Sequence, residues 1–180
     1  MILRQIIIVS LIIATSNSLF GQQEEEIIKK VEQAATEFRN RIKQETVNPD
    51  FDQSLIVEFR VDTFKIGEYL RLRNELSTKF IHEGYALYKA VQAYGELVGK
   101  YYNLLLDELT DFDKRILKNS QSSWLEYKQN ELILNENLGG KDYGNNLIEN
   151  EIYINKRILQ LNKDRAEELF HYLLRISRKK

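Results

Sequence analysis

The chain has 180 residues, 29% of them charged, with 26 basic and 27 acidic side chains that leave a net charge of −1. With no cysteine and only two histidines, disulfides, zinc–thiolate sites and thiol nucleophiles are excluded. Basic and acidic residues are interspersed without a sustained basic block, which argues against nucleic acid as a partner.

Residues 1–21 read as a cleavable secretory signal. Arg4 comes early, an apolar run from Ile6 to Ile13 follows, and small polar residues lead to Gly21-Gln22. The run is too short to span a bilayer, and no cysteine follows it to accept a lipid. No membrane anchor is therefore expected after cleavage, and localisation is expected to be periplasmic or secreted. Removing residues 1–21 leaves 25 basic and 27 acidic residues, a net charge of −2. Residues 22–180 are read as one domain, since no repeat, low-complexity tract or linker interrupts them.

From Gln23 to Gln44, Ile27, Val31, Ala34, Ala35, Phe38 and Ile42 recur three or four apart and predict an amphipathic helix. The cluster Glu24–Glu26 is expected in its first turn, where acids favour the helix dipole. Asn48-Pro49-Asp50 breaks the pattern, so residues 44–53 are expected to form a loop. Between Leu55 and Asp62, Val57, Phe59 and Val61 alternate with Glu58, Arg60 and Asp62, a period of two that predicts a short extended strand. A lone strand must find a partner, so Leu55–Asp62 is a candidate for self-pairing. Ile66, Tyr69, Leu70 and Arg73 give residues 63–76 only weak helical spacing.

A second helix is predicted from Thr78 to Leu109, with Phe80, Ile81, Leu87, Tyr88, Val91, Val98, Tyr102, Leu105 and Leu109 along one side. Gly84, Gly95 and Gly99 on that side predict close approach of a neighbouring backbone. Thr110 and Asp113 form a capping box for a third helix that ends at Gly139-Gly140 and carries Ile116, Leu117, Trp124, Tyr127, Leu134 and Leu138 as its apolar face. After a short connection, Gly139 to Gly144, a fourth helix runs to the C-terminus with Ile148, Ile152, Leu159, Ala166, Leu169, Leu173 and Ile176 inward. The short connection makes the last two helices antiparallel neighbours. The closing Arg178-Lys179-Lys180 suits a helix C-terminus. The fold class is thus mainly α: an antiparallel bundle of about four helices with one short extended segment near 55–62.

Chemical motifs are few. Glu168 and His171 have the Glu-x-x-His spacing of di-iron bundles, but the second such pair is missing, because Lys79 stands three residues before His82; no metal and no cofactor are expected. Asp111 with Asp113 reads as helix capping rather than an acid/base pair. No phosphate loop, nucleophile elbow or zinc-protease motif occurs, so no catalytic residue is assigned and the protein is read as not an enzyme. Glu131 falls between Trp124 and Leu138 on the apolar face and needs a partner; Arg165, at the edge of the last helix's apolar face, is the expected one.

The run Leu117-Lys118-Asn119-Ser120-Gln121-Ser122-Ser123-Trp124-Leu125-Glu126-Tyr127-Lys128-Gln129-Asn130-Glu131-Leu132 resembles the pattern Leu-x-x-(Ser/Ala)-Gln-x-x-Trp-x-x-(Tyr/Phe)-Arg-Asp-x-Glu-Cys of the lysozyme-inhibitor LprI-like family of exported bacterial proteins. Leu117, Ser120, Gln121, Trp124, Tyr127 and Glu131 agree. Lys100–Leu105 and Leu161–Leu169, with Arg165, look like its flanking segments, so the resemblance spans residues 94–170. Lys128 and Gln129 replace the Arg-Asp pair, and Leu132 replaces the cysteine, so a disulfide found in relatives is absent here. Trp124 and Tyr127 are expected in the core.

The resemblance implies a non-enzymatic exported binding protein that inhibits lysozyme or another muramidase. The Gly139–Gly144 connection would then carry the partner-contact candidates Lys141, Asp142 and Tyr143, with Lys141 against a catalytic carboxylate and Tyr143 in the sugar groove. The alternative is a structural or assembly module of the cell envelope without inhibitory activity.

Overall fold

The computed structural model describes residues 2–45, 51–76, 80–139 and 147–177, the side chains of 2–20, 76, 80–82, 147 and 148 aside. All regular structure among them is helical. Five helices follow in order: α1 (Ile2–Ile42), α2 (Gln53–Leu76), α3 (Phe80–Glu108), α4 (Asp111–Leu138) and α5 (Leu147–Ile176). The mainly α expectation holds, with five helices in place of about four.

The added helix corrects the strand expected at Leu55–Asp62, which is the first part of α2. Its start is capped by Asp52, whose Oδ1 accepts hydrogen bonds from the Ser54 backbone at 2.8 Å and the Ser54 hydroxyl at 2.6 Å. The period of two has a physical cause. Residues two apart on a helix point to nearly opposite sides, and α2 is buried on two sides because it lies between α1 and α3. Val57 and Val61 pack with Ala35 and Ile42 of α1, while Phe59 and Ile66 join the main core with α3 and α5. The intervening charges pair outward: Glu58 with Arg39, Arg60 with Glu45 at 2.5 Å, and Asp62 with Lys100 at 2.5 Å. Self-pairing through a Leu55–Asp62 strand therefore loses its basis.

The α1 face is as the spacing predicts, with Ile27, Val31, Ala35 and Ile42 buried. The helix begins upstream, at Ile2, so Glu24–Glu26 do not stand in its first turn. Glu24 instead reaches α2, where it accepts from the Tyr69 hydroxyl at 2.9 Å and pairs with the buried Arg73 guanidinium. Burial pushes the Tyr69 phenol up to about 12. Among the described residues, no helix is long and apolar enough to cross a membrane.

The main core sits where α2, α3 and α5 meet. Phe59 stacks on Phe170 with centroids 4.0 Å apart, and Tyr101 meets both rings edge-on at 5.2 and 5.9 Å. Tyr101 is fully buried and its hydroxyl donates to Asp62 at 3.1 Å; burial, with the Asp62 carboxylate, raises its pKa far above the ordinary phenol value. The α3 face is centred on Ala90, Tyr94, Leu97 and Tyr101, and Tyr88 of the expected face is exposed.

The glycines of α3 correct a second expectation. A Cβ at Gly84 or Gly99 would meet open space, and one at Gly95 would meet only the Asn162 amide at 3.5 Å. In the core that α3 and α5 share, the small residues are Ala90 and Ala166, both buried. At Gly139, which ends α4, a Cβ would overlap the Asn150 carboxamide, so a larger residue there would require that side chain to move.

The aromatic triad yields a stability prediction. Phe170→Ala should cost about 4 kcal/mol and lower the Tm by roughly 8–16 °C in a chain of this size. Thermal unfolding of the variant checks it; a loss below about 1 kcal/mol would mean that the three rings do not form the core.

Candidate functional site

The motif residues converge on the seam between α4 and α5. Higher positions of α4 meet lower positions of α5, so the two helices run antiparallel as expected. The α4 start is the expected capping box: the Asp113 backbone donates to Thr110 Oγ1 at 3.3 Å, and the Thr110 hydroxyl donates to Asp113 Oδ2 at 2.7 Å.

Arg165 is the centre of the seam and is only 4% exposed. Its Nε donates to Gln121 Oε1 at 3.0 Å, its Nη2 to Ser120 Oγ at 3.3 Å and its Nη1 to Glu168 Oε2 at 2.6 Å. The guanidinium also lies over the Trp124 ring, 5.8 Å from the centroid. A planar cation with donors on several edges suits a site of this kind. Ser120, Gln121 and Trp124 thus form one contact group with Arg165, which stands more than forty positions later in the chain.

Two further layers continue the seam toward the α4 C-terminus. Lys128 stands over Trp124 at 4.7 Å and donates to Asn162 Oδ1 at 3.2 Å. Asn162, itself buried, donates to the Val91 carbonyl at 2.9 Å and so ties α5 to α3. Burial lowers the Lys128 pKa. In the next layer Glu131 accepts from Arg157 Nε at 2.8 Å, and Arg157 Nη2 donates to the Tyr127 hydroxyl at 2.9 Å.

The expected Glu131–Arg165 pair does not form. In the observed register Gln121 lies opposite Arg165 and Glu131 opposite Arg157. Ten positions along a helix are about 15 Å, so Glu131 and Arg165 are out of reach. Glu131 finds an arginine in a different layer of the seam, whereas the carboxylate that pairs with Arg165 is Glu168 of its own helix. Glu168 of the Glu-x-x-His spacing is occupied by Arg165 and by the Tyr172 hydroxyl at 2.6 Å, and His171 is exposed. Burial raises the Glu168 pKa, but the hydrogen bonds from Tyr172 and Arg165 outweigh it, and the net shift is downward. Among the described residues, no three His, Asp or Glu side chains gather as a metal site would require. The side chain of His82 lies outside the described residues, as do the partner-contact candidates Lys141, Asp142 and Tyr143 and the closing Arg178–Lys180.

The seam also overturns the expected core role of most of α4. Leu117 is buried and Trp124 is half-buried against the core. Phe112 (63% exposed), Ile116 (54%), Tyr127 (46%), Leu134 (51%) and Leu138 (42%) face outward. Helical spacing places these five on one side of α4. Beside Ile116, where the ends of α3, α4 and α5 meet, a groove of about 450 Å³ is lined by Leu105, Leu109, Leu117, Tyr172 and Ile176, with Arg175 and Asp113 among its polar groups. Sequence periodicity could find this row, because the apolar residues recur at helical spacing. It could not tell that the inward side of α4 is the neighbouring polar one, built from Gln121, Lys128 and Glu131.

The register predicts a pattern of couplings. In double-mutant cycles, Glu131→Gln and Arg157→Gln should couple by about 0.5–1 kcal/mol, as partly exposed ion pairs do, while Glu131→Gln and Arg165→Gln should be additive. Arg165→Gln alone should cost about 2 kcal/mol and shift the emission of Trp124, the only tryptophan, to the red. Because Glu168 is shifted down, its contribution is fully present above the unfolded carboxylate value of about 4.3. It fades as pH falls through the lower folded value, so Glu168→Gln should flatten the stability profile at the acid end; an unchanged acid limb would contradict the assignment. No family model, curated protein or solved structure matches the chain.

Proposed function

We propose that this chain is an exported, non-enzymatic binding protein that presents the outer side of its last helical hairpin to a protein partner, in the manner of the lysozyme inhibitors it resembles over residues 94–170. The exposed apolar row of Phe112, Ile116, Tyr127, Leu134 and Leu138 on α4 carries the reading. Several large apolar side chains exposed on one side of a single helix suit contact with another molecule, and here they lie on the helix that holds the resemblance. The candidates Lys141, Asp142 and Tyr143 follow Leu138 and Gly139 closely in the chain, so a target seated at the end of the row would reach them. The convergence of Ser120, Gln121, Trp124 and Arg165 gives additional support, since those residues carry the resemblance and here hold the hairpin together.

Export places the protein where muramidases act. The signal reading predicts that the protein recovered from outside the cytoplasm starts near Gln22, which intact-mass measurement checks; recovery of the full 180-residue chain would contradict cleavage. A muramidase cleft rests on two carboxylates and a sugar groove. Lys141 and Tyr143 supply a cation and an aromatic ring suited to each.

The functional test is lysis of a peptidoglycan suspension by lysozymes of several types with the purified protein added. Stoichiometric inhibition is expected, weakened at least tenfold when Lys141, Asp142 and Tyr143 become Gly or Ser in a variant with an unchanged circular dichroism spectrum. Absence of inhibition of every lysozyme would overturn the inhibitor reading and favour the envelope-assembly alternative.

A further inference from the structure

The outward row of α4 carries no charge. Ile116, Ser120, Ser123, Tyr127, Asn130 and Leu134 recur at alternating steps of four and three, the spacing of a two-helix seam. All six are exposed, although Ser120 Oγ and the Tyr127 hydroxyl also accept from Arg165 and Arg157 of α5 and so lie at the edge of the row nearest the seam. In a chain with 29% charged residues, a merely solvated face would be expected to carry Lys and Glu at some of these positions.

The row is also symmetric about position 125. Ile116 and Leu134 lie nine residues to either side, Ser120 and Asn130 five, and Ser123 and Tyr127 two. When the row meets a copy of itself running the opposite way, each of these pairs comes face to face: Ile116 with Leu134 at the ends, hydroxyl with carboxamide at Ser120 and Asn130, and the small Ser123 making room for the Tyr127 ring. A parallel pairing would set Tyr127 on Tyr127 and leave Ser120 opposite Ser120 and Ser123 opposite Ser123, each across a gap. It would also align the helix dipoles.

We propose that the outer face of α4 is a homodimer interface, in which two copies of this chain pair their α4 helices antiparallel about position 125. The inference starts from the same exposed row as the binding reading but gives it a second copy of this chain as occupant, in competition with a foreign target, and it holds or fails independently of muramidase inhibition. The groove beside Ile116 gives the contact depth. Leu134 of the second copy arrives opposite Ile116, at the mouth of the roughly 450 Å³ space lined by Leu105, Leu109, Tyr172 and Ile176, and the two-fold axis repeats that insertion at the other end. Phe112, Ile116, Tyr127 and Leu134 each leave about half of a large side chain exposed, so with Ser120, Ser123, Asn130 and the groove walls the pairing buries on the order of 1,000 Å² in total. That is the lower end for a specific contact, and a dissociation constant in the micromolar range follows.

The absence of cysteine from the chain makes a direct test clean. Ser120→Cys with Asn130→Cys in one chain should give a covalent dimer on mild oxidation, because the antiparallel register brings each new thiol within disulfide reach of its counterpart. Either single variant should stay monomeric under oxidation, its thiols being about 15 Å apart along the axis. In parallel, sedimentation of the purified, uncrosslinked protein over roughly 1 to 200 μM, the range set by a contact of this size, should show a mass rising toward twice the chain. Ile116→Glu and Leu134→Lys should each weaken dimerisation at least tenfold. An equimolar mixture of the two should recover it, since the register sets the introduced carboxylate of one chain against the introduced ammonium of the other. A monomeric mass at every concentration would overturn the proposal. Equal crosslinking by the single variants, or a mixture that stays monomeric, would overturn the antiparallel register.

Discussion

The stack of Phe59 on Phe170, closed by the edge of Tyr101, is the contact on which the rest of the molecule depends. It joins α2, α3 and α5, three helices distant in sequence, through large apolar surfaces whose burial outweighs the entropy of ordering them. The α1–α2 contact is organised outward from it, because α2 can bury Val57 and Val61 against α1 only while Phe59 and Ile66 hold its other side. On the far side, α5 offers Arg165 and Arg157 to α4. The order of helices across the molecule is therefore α1, α2, α3, α5, α4, and ion pairs join the outer helices to their neighbours at both ends.

What sets α4 apart is that its inward side is mostly polar. Its inward side is a ladder of Gln121, Lys128 and Glu131, each satisfied by a residue of α5. A polar ladder fixes register more than it adds stability, since hydrogen bonds exchanged with water contribute little net free energy. Arg165 illustrates the point: it is buried with three oxygen acceptors and the Trp124 face around it, so any other register would leave it stranded. The apolar residues left over on α4 face outward, and a surface of that kind is costly to leave in water. Its occupation by another protein surface is the common ground of the binding and dimerisation readings.

The sequence made the helices legible wherever one face is buried. The α1 face, the Thr110 cap and the antiparallel α4–α5 hairpin all follow from spacing and punctuation. Legibility failed where a helix has two buried sides or an inverted one. On α2, Val57 and Phe59 serve opposite neighbours, and the sum of two helical faces mimics a strand. On α4 the apolar residues look like a core face because periodicity measures their alignment and not the direction they point. Glu131 and Arg165 were recognisable as groups needing partners, but their partners depend on a register that only packing sets. Tyr94 and Tyr101 carry hydroxyls and so sit at the margin of an apolar pattern, although Tyr101 is the largest of the fully buried side chains.

The central claim is that α4 turns its apolar row away from its own core. Carbene footprinting of the dilute protein, read residue by residue, tests it most directly. Phe112, Ile116, Tyr127 and Leu134 should label heavily while Leu117 and Tyr101 remain nearly unlabelled, and concentration of the protein or addition of its target should suppress labelling along the row. Protection of the row in the dilute monomer, equal to that of Leu117, would show that α4 is rotated onto the core and would contradict the account.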